Sequence, residues 1–387
     1  MSSIRCLTMP VRSGCAKYAV RFVGDYLLTG GGRGQLCLWS LRFGVSSRHS
    51  PLRPGWLGFT RLRLTAAQAG KCSTICSAVS DDSYPACLSK QNNSSDLRIM
   101  GIVCVELDSD TTADVPLLLA LAACSDGSIR LLIIQPPCSK HPKCPKFKEL
   151  GTLEQLCHSP HQFLRPTACY LDMKLLSWTG SELCVMTTNT ASLIECWSVH
   201  RSGAIDPLDI TDSSWSAVRN WTLVSQPIAP YLIQTKPALN CIDAIHSESP
   251  GPHIVAAVGA DDGSVRVAMI SYAVTLSPKW VAAAICHYAA VISMTIISYN
   301  TSDGSLELLS LSADQRVIHW RCVLETSTRV VSELYPLYRS ILPGIGDPHA
   351  LCVDITLDKQ FEVCARRSKW ALVAGTGTFL LQVEPKG

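Results

Sequence analysis

The richest cluster of ligand-type side chains in this 387-residue sequence is Cys138, His141 and Cys144, followed by Cys157, His158 and His161. Thiolates and imidazoles hold zinc when four of them converge, and zinc motifs place paired cysteines two to four residues apart. Five residues separate Cys138 from Cys144, so the spacing fits no standard zinc pattern. The same segment carries Lys140, Lys143, Lys146 and Lys148, alternating with Pro142, Pro145 and Phe147. Flexible ammonium groups beside an aromatic ring hold a phosphate backbone without reading its bases, although a solvated loop has the same composition. A glycine run, Gly30 to Gly32 and Gly34 around Arg33, has the composition of a phosphate loop. A phosphate cradle needs a helix N-terminus directly after its glycines. Here a strand-like run to Trp39 follows, and the glycines read as a hairpin turn. No GxSxG, HExxH, Walker lysine or paired CxxC occurs, so the sequence nominates no catalytic residue, metal or cofactor.

Charge adds a second pointer to phosphate. Residues 1–63 hold ten Lys or Arg, among them Arg5, Arg12 and Arg21, against Asp25 alone; this net +9 leaves −6 for the remainder of a chain whose total is +3. Such asymmetry points to nucleic-acid contact, or to a solvated basic face. With 47% hydrophobic and 17% charged residues, the chain has the means to bury a large core. The longest apolar stretch, 281–297, is shorter than the roughly 20 residues of a membrane span and is interrupted by His287 and Ser293. Residues 1–10 lack the apolar core of a secretory signal. Most of the nineteen cysteines sit inside apolar strand-like runs, as Cys37, Cys104, Cys124, Cys184, Cys241 and Cys352 do, and read as reduced, buried thiols in the cytoplasm.

The elements that must position these groups repeat. Six segments share an apolar strand, a tight turn of small or acidic residues, and a second strand with alternating inward and outward positions. They span residues 26–41, 119–134, 183–199, 254–270, 308–321 and 370–383. Asp-Gly and Gly-rich pairs supply the positive φ angles that a turn between twisted strands requires. Counting six residues on from the turn Asp or its equivalent gives Trp39, Leu132, Ala268, Trp320 and Gln382, with Trp197 reached after one extra residue. The resulting gaps of 93, 65, 71, 52 and 62 residues exceed the roughly 40 to 45 of a WD-type repeat. The expected fold is all-β: one WD-type β-propeller over residues 1–387, with six four-stranded blades, or seven if the longest gap hides a degenerate one. Long inserts are expected at about 45–96, 136–162 and 200–235. His287, with Ser310 or Ser312, Asp314 and Trp320, is expected to form the buried hydrogen-bonded chain that locks such a blade.

Seven strings in order resemble one family: SSIRCL (2–7), TGGGRGQL (29–36), RIMGIVCVELD (98–108), AACSDGSIRLL (122–132), HIVAAVGADDGSVRV (253–267) with CHYAAVI (286–292), and SADQRVIHWR (312–321). The sequence is similar to the WD-repeat regulatory subunits of the tRNA 2′-O-ribose methyltransferase that acts on the wobble nucleotide, position 34. The resemblance covers most of the chain and implies the C-terminal propeller of a longer family architecture. It implies a cytoplasmic scaffold that holds tRNA and a separate Rossmann-fold catalytic subunit using S-adenosylmethionine. The chain itself would supply no catalytic residue, and the alternating strands and helices of a methyl-donor fold are missing from it. RNA-binding candidates are Arg5, Arg12, Arg21, Lys140, Lys143, Lys146 and Lys148. The alternative is a generic propeller adaptor in a ubiquitin-ligase or trafficking assembly, because fold alone does not fix function.

Overall fold

A computed structural model describes residues 17–23, 26–31, 34–40, 55–61, 97–107, 117–137, 145–157, 168–202, 214–225, 236–247, 253–271, 278–324, 333–341, 350–354, 369–374 and 378–383. Consecutive strands pair in six sheets. Sheet 1 contains β1 (Lys17–Val23), β2 (Tyr26–Gly31), β3 (Gln35–Ser40) and β4 (Gly55–Arg61). Sheet 2 contains β5 (Ile99–Leu107), β6 (Leu117–Cys124), β7 (Ile129–Gln135) and β8 (Lys146–Thr152), followed by the short helix α1 (Leu153–Leu156). Sheet 3 contains β9 (Tyr170–Trp178), β10 (Glu182–Asn189), β11 (Leu193–Ser202) and β12 (Ser214–Val224). Sheet 4 contains β13 (Leu239–Ser247), β14 (His253–Ala260), β15 (Ser264–Ser271) and β16 (Lys279–Ile285). Sheet 5 contains β17 (Val291–Asn300), β18 (Ser305–Ser312), β19 (Arg316–Val323) and β20 (Leu334–Ile341). Three described strands, β21 (Ala350–Asp354), β22 (Lys369–Ala374) and β23 (Thr378–Val383), make sheet 6.

The chain is therefore all-β with blade-like four-stranded sheets, and each of the six expected hairpins is the central pair of strands of one sheet, or the last pair in sheet 6. Two compact units are present: Met1–Tyr170 with Ser177–Cys184 and Ser198–Val218, and Leu171–Leu176 with Val185–Trp197 and Arg219–Gly387. The segments read as inserts each hold the fourth strand of a sheet: β4, β8 and β12. Their sequences hide them, since β4 (GWLGFTR) contains two glycines and β8 (KFKELGT) is charged, features that outer strands tolerate. Whether the gap between Trp39 and Leu132 hides a further blade turns on residues 62–96, which lie outside the described residues.

Burial is graded across sheets 2, 4 and 5. Strands β6 and β14 are buried at every position, whereas β16 and β20 are largely half-buried or exposed. The expected alternation of inward and outward side chains is absent from β7, where Ile129 to Ile134 are all buried. A strand covered on both faces has no solvent side, so its apolar run is continuous. In the first unit Leu28, Leu36 and Leu38 of sheet 1 share one core with Ile99, Leu118 and Leu132 of sheet 2. In the second, Val255 and Val267 of sheet 4 share one with Val291, Leu308 and Trp320 of sheet 5. These sheets approach closely enough that glycine is required at the contact. A Cβ on Gly259 would overlap Val291 and sit 2.7 Å from Cys241 Sγ, and one on Gly30, at the corresponding place in β2, would meet Ile99 and Ile102.

First strands are also tied to one another in the second unit. The Ile242 amide of β13 donates to Asp172 Oδ2 of β9 at 3.0 Å, and the Ile296 amide of β17 donates to Asp243 Oδ2 of β13 at 2.7 Å. Lys174 pairs with Asp243. Burial pushes the Asp172 carboxyl up to about 6, against the pull of its two amide donors, Ile242 and Met173. Cys37, Cys104, Cys124 and Cys241 are buried thiols outside any disulfide, whereas Cys184, expected to be buried like them, is half-buried. No helix among the described residues is long and apolar enough to cross a membrane.

Candidate functional site

The hairpin turns carry most of the polar chemistry. One turn position has a positive φ in five sheets: Gly34 (64°), Gly127 (80°), Ser192 (65°), Gly263 (78°) and Gln315 (63°). At Gly263 a side chain is doubly disfavoured, because a Cβ would also strike the carbonyl oxygen of His287. Around two of these glycines the sequence Asp-Gly-Ser-x-Arg builds the same cluster. Asp126 Oδ1 accepts the Ser128 amide at 3.0 Å, Arg130 Nε donates to Ser128 Oγ at 3.2 Å, and Arg130 Nη2 donates to Asp126 Oδ2 at 2.7 Å. In sheet 4 Asp262, Ser264 and Arg266 repeat these bonds at 2.9, 3.0 and 3.1 Å. Both guanidiniums are buried, and each takes a further partner: Glu149 for Arg130, Ser225 for Arg266. Buried charges persist only when paired in this way. The repeated Asp-Gly-Ser-x-Arg string in the sequence was the signal for these ion pairs, which reading for turns alone passes over.

Sheet 5 replaces the cluster with a longer chain. Trp320 Nε1 donates to Ser310 Oγ at 2.7 Å, Ser310 Oγ lies 2.7 Å from His287 Nε2, and His287 Nδ1 lies 3.3 Å from both oxygens of Asp314. Ser310, and not Ser312, occupies the central place. Ser312 Oγ instead donates to the Ala289 carbonyl at 3.0 Å and accepts the Asp314 amide at 3.1 Å. Strand geometry decides between them: Ser310 sits opposite Ile318 in the β18–β19 ladder, two places from the Trp320 pair, whereas Ser312 closes the turn. Burial lowers the pKa of His287, with Asp314 opposing, so the ring is neutral at neutral pH. A neutral ring protonated on Nδ1 donates to Asp314 and accepts the Ser310 proton, which leaves the serine oxygen free to accept the indole N–H.

Asp, His and Ser in hydrogen-bonded series are the residue types of a nucleophilic triad. Ser310, however, is wholly buried, and its oxygen already accepts the Trp320 indole N–H. A carbonyl carbon has no approach to it, and the chain acts as a lock between the β16–β17 connection, the turn and β19.

The basic candidates divide. Lys146 and Lys148 lie on β8, the outer strand of sheet 2, with Lys146 exposed and Lys148 half-buried on the face opposite the buried Phe147. Among the described residues neither ammonium is paired with a carboxylate. Arg21 lies on β1, opposite Leu28 in the ladder. Arg5, Arg12, Lys140 and Lys143 lie outside the described residues, as do Cys138, His141, Cys144, His158 and His161. Among the described residues no group of three or more His, Cys, Asp or Glu is placed to hold a metal ion. Among the described residues the structure offers two separate features: in the first unit, an outer basic strand in sheet 2, and in the second, hydrogen-bonded turns in sheets 4 and 5. No family model matches the chain, and no curated protein matches its sequence.

Proposed function

We propose that the six sheets are blades of a closed WD-type β-propeller, and that the chain is a non-catalytic regulatory scaffold. In this reading it binds the catalytic subunit of a tRNA 2′-O-ribose methyltransferase together with its tRNA, and supports methylation of the wobble nucleotide in the cytoplasm. The observation that carries the proposal is the chain His287, Ser310, Asp314 and Trp320. It links two of the strings on which the family resemblance rests, CHYAAVI and SADQRVIHWR, in the arrangement expected of a WD-type blade. A locked ring of sheets gives rigid loops at fixed positions, which favours binding over chemistry, because ordering costs are met on folding and not on association. Lys146 and Lys148 supply point charges suited to phosphate contact without base readout.

The test is equilibrium binding. The purified chain, titrated by calorimetry, is expected to bind the purified catalytic subunit and to bind tRNA, and to show no heat with S-adenosylmethionine. Binding of S-adenosylmethionine, or failure to bind the catalytic subunit, would remove the proposal.

A further inference from the structure

The lock in sheet 5 also fixes an exposed patch. Tyr288 is 81% exposed, yet its backbone amide donates to Asp314 Oδ2 at 2.9 Å, so the ring stands on a pinned loop. The Arg316 guanidinium lies over that ring, 4.5 Å from its centroid, and the Arg316 amide donates to the same carboxylate at 3.0 Å. Opposite Arg316 in the β19–β20 ladder is Ile341, 63% exposed, and two residues earlier on the same face is Arg339. Arg339 Nη2 reaches Cys286 Sγ at 3.2 Å, and the preceding Ile285 is 46% exposed. Among the described residues neither guanidinium is paired with a carboxylate. Two arginines without a carboxylate partner, a tyrosine on a pinned loop and two exposed isoleucines have the composition of an interface core, where tyrosine and arginine are enriched and lysine is depleted.

We infer that this patch docks an acidic protein surface, with carboxylates meeting Arg316 and Arg339 and an apolar side chain meeting the isoleucines. Resting on the function proposed above, that surface belongs to the catalytic subunit. Charge complementarity selects the partner's sign, and the two exposed isoleucines, which offer a base no aromatic face to stack on, select protein over RNA. Because the loop is already ordered, little conformational entropy is lost on docking.

The experiment measures the Kd of the chain for the purified catalytic subunit and, separately, for tRNA. Variants are Tyr288→Ala, the charge-reversed pair Arg316→Glu with Arg339→Glu, and the neutral pair Arg316→Gln with Arg339→Gln, which keeps the alkyl stems should reversal disturb folding. Tyr288→Ala is expected to weaken subunit binding about tenfold and the reversed pair about a hundredfold or more, with melting temperature and tRNA affinity unchanged. The neutral pair is expected to fall between them. Variants that bind the subunit with the parent's Kd would overturn the docking assignment and leave the scaffold function standing. Loss of tRNA affinity with subunit affinity retained would make the patch an RNA contact and overturn it equally. A parent chain that does not bind the subunit would remove both proposals.

Discussion

Ser310→Ala is the sharpest probe of the lock in sheet 5. Its hydroxyl is 2.7 Å from Trp320 Nε1 and 2.7 Å from His287 Nε2, and all three groups are buried. Deleting one oxygen leaves a small void but strands a donor and an acceptor, each costing about 1–3 kcal/mol when left without a partner. The expected loss is roughly 2–6 kcal/mol, from the removal of a single oxygen. Trp320→Phe removes the indole donor and lets Ser310 keep its bond to His287, so it should cost less than the 3–5 kcal/mol, roughly, of Trp320→Ala. Because both residues share one network, Ser310→Ala with Trp320→Phe should cost less than the sum of the two, by about 0.5–3 kcal/mol. Urea unfolding followed by circular dichroism reads these values, with the slope checked for constancy so that only stability is compared. If Ser310→Ala stays within about 0.5 kcal/mol of the parent, as exposed substitutions do, the hydroxyl bridges nothing and the lock is refuted.

Gly259→Ala forces a methyl into Val291 and toward Cys241, and urea unfolding should show a loss of about 1–3 kcal/mol, whereas a neutral result would mean that sheets 4 and 5 are not in contact there. Stability should also vary with pH in two windows. His287 has a folded pKa below 6.5, so the unfolded chain takes up its proton first; the stability tied to neutral His287 is full above pH 6.5 and is lost as pH falls toward the folded value. Asp172, raised from 3.8 to about 6, works the other way: its cost is full above pH 6 and is relieved as pH falls toward 3.8. Urea midpoints measured from pH 4 to 8 should lose the first slope in His287→Asn and the second in Asp172→Asn, and unchanged profiles would contradict both assignments. Replacing Lys140, Lys143, Lys146 and Lys148 with Ser should weaken all tRNAs alike and flatten the dependence of log affinity on log salt by about 0.7 to 0.9 per lost contact. Replacing Arg5, Arg12 and Arg21 tests the basic N-terminal segment by the same titration, and an unaltered salt slope in both sets would leave the basic segments as solvated surface.

The central hairpins were legible because turn chemistry is local. Asp126-Gly127 and Asp262-Gly263 announce positive φ, and the strands beside them are unbroken apolar runs. Gln315 and Ser192 take the same conformation without glycine, and there only the flanking strands marked the turn. Fourth strands were illegible for the opposite reason. In β8 Lys146, Lys148 and Glu149 alternate with few buried residues, since an outer strand packs on one side only. Tertiary partners also decided what residue type could not. Ser310 and Ser312 stand at almost the same sequence distance from His287, and only the ladder places Ser310 beneath Trp320. Asp172 and Asp243, which join first strands of successive sheets, lie 70 and 53 residues from the cross-sheet amides they accept, a separation that no local pattern encodes.

Reconstituted methyl transfer tests the central claim most directly. Purified catalytic subunit, tRNA and S-adenosylmethionine are incubated with and without this chain, and 2′-O-methylation of the wobble nucleotide is read by mass spectrometry of the digested tRNA. A scaffold predicts no methylation by the chain alone, and a rate with the catalytic subunit that rises when the chain is added and saturates at one equivalent. Methylation by the chain alone, or a rate for the catalytic subunit that is the same with and without it, would contradict the account.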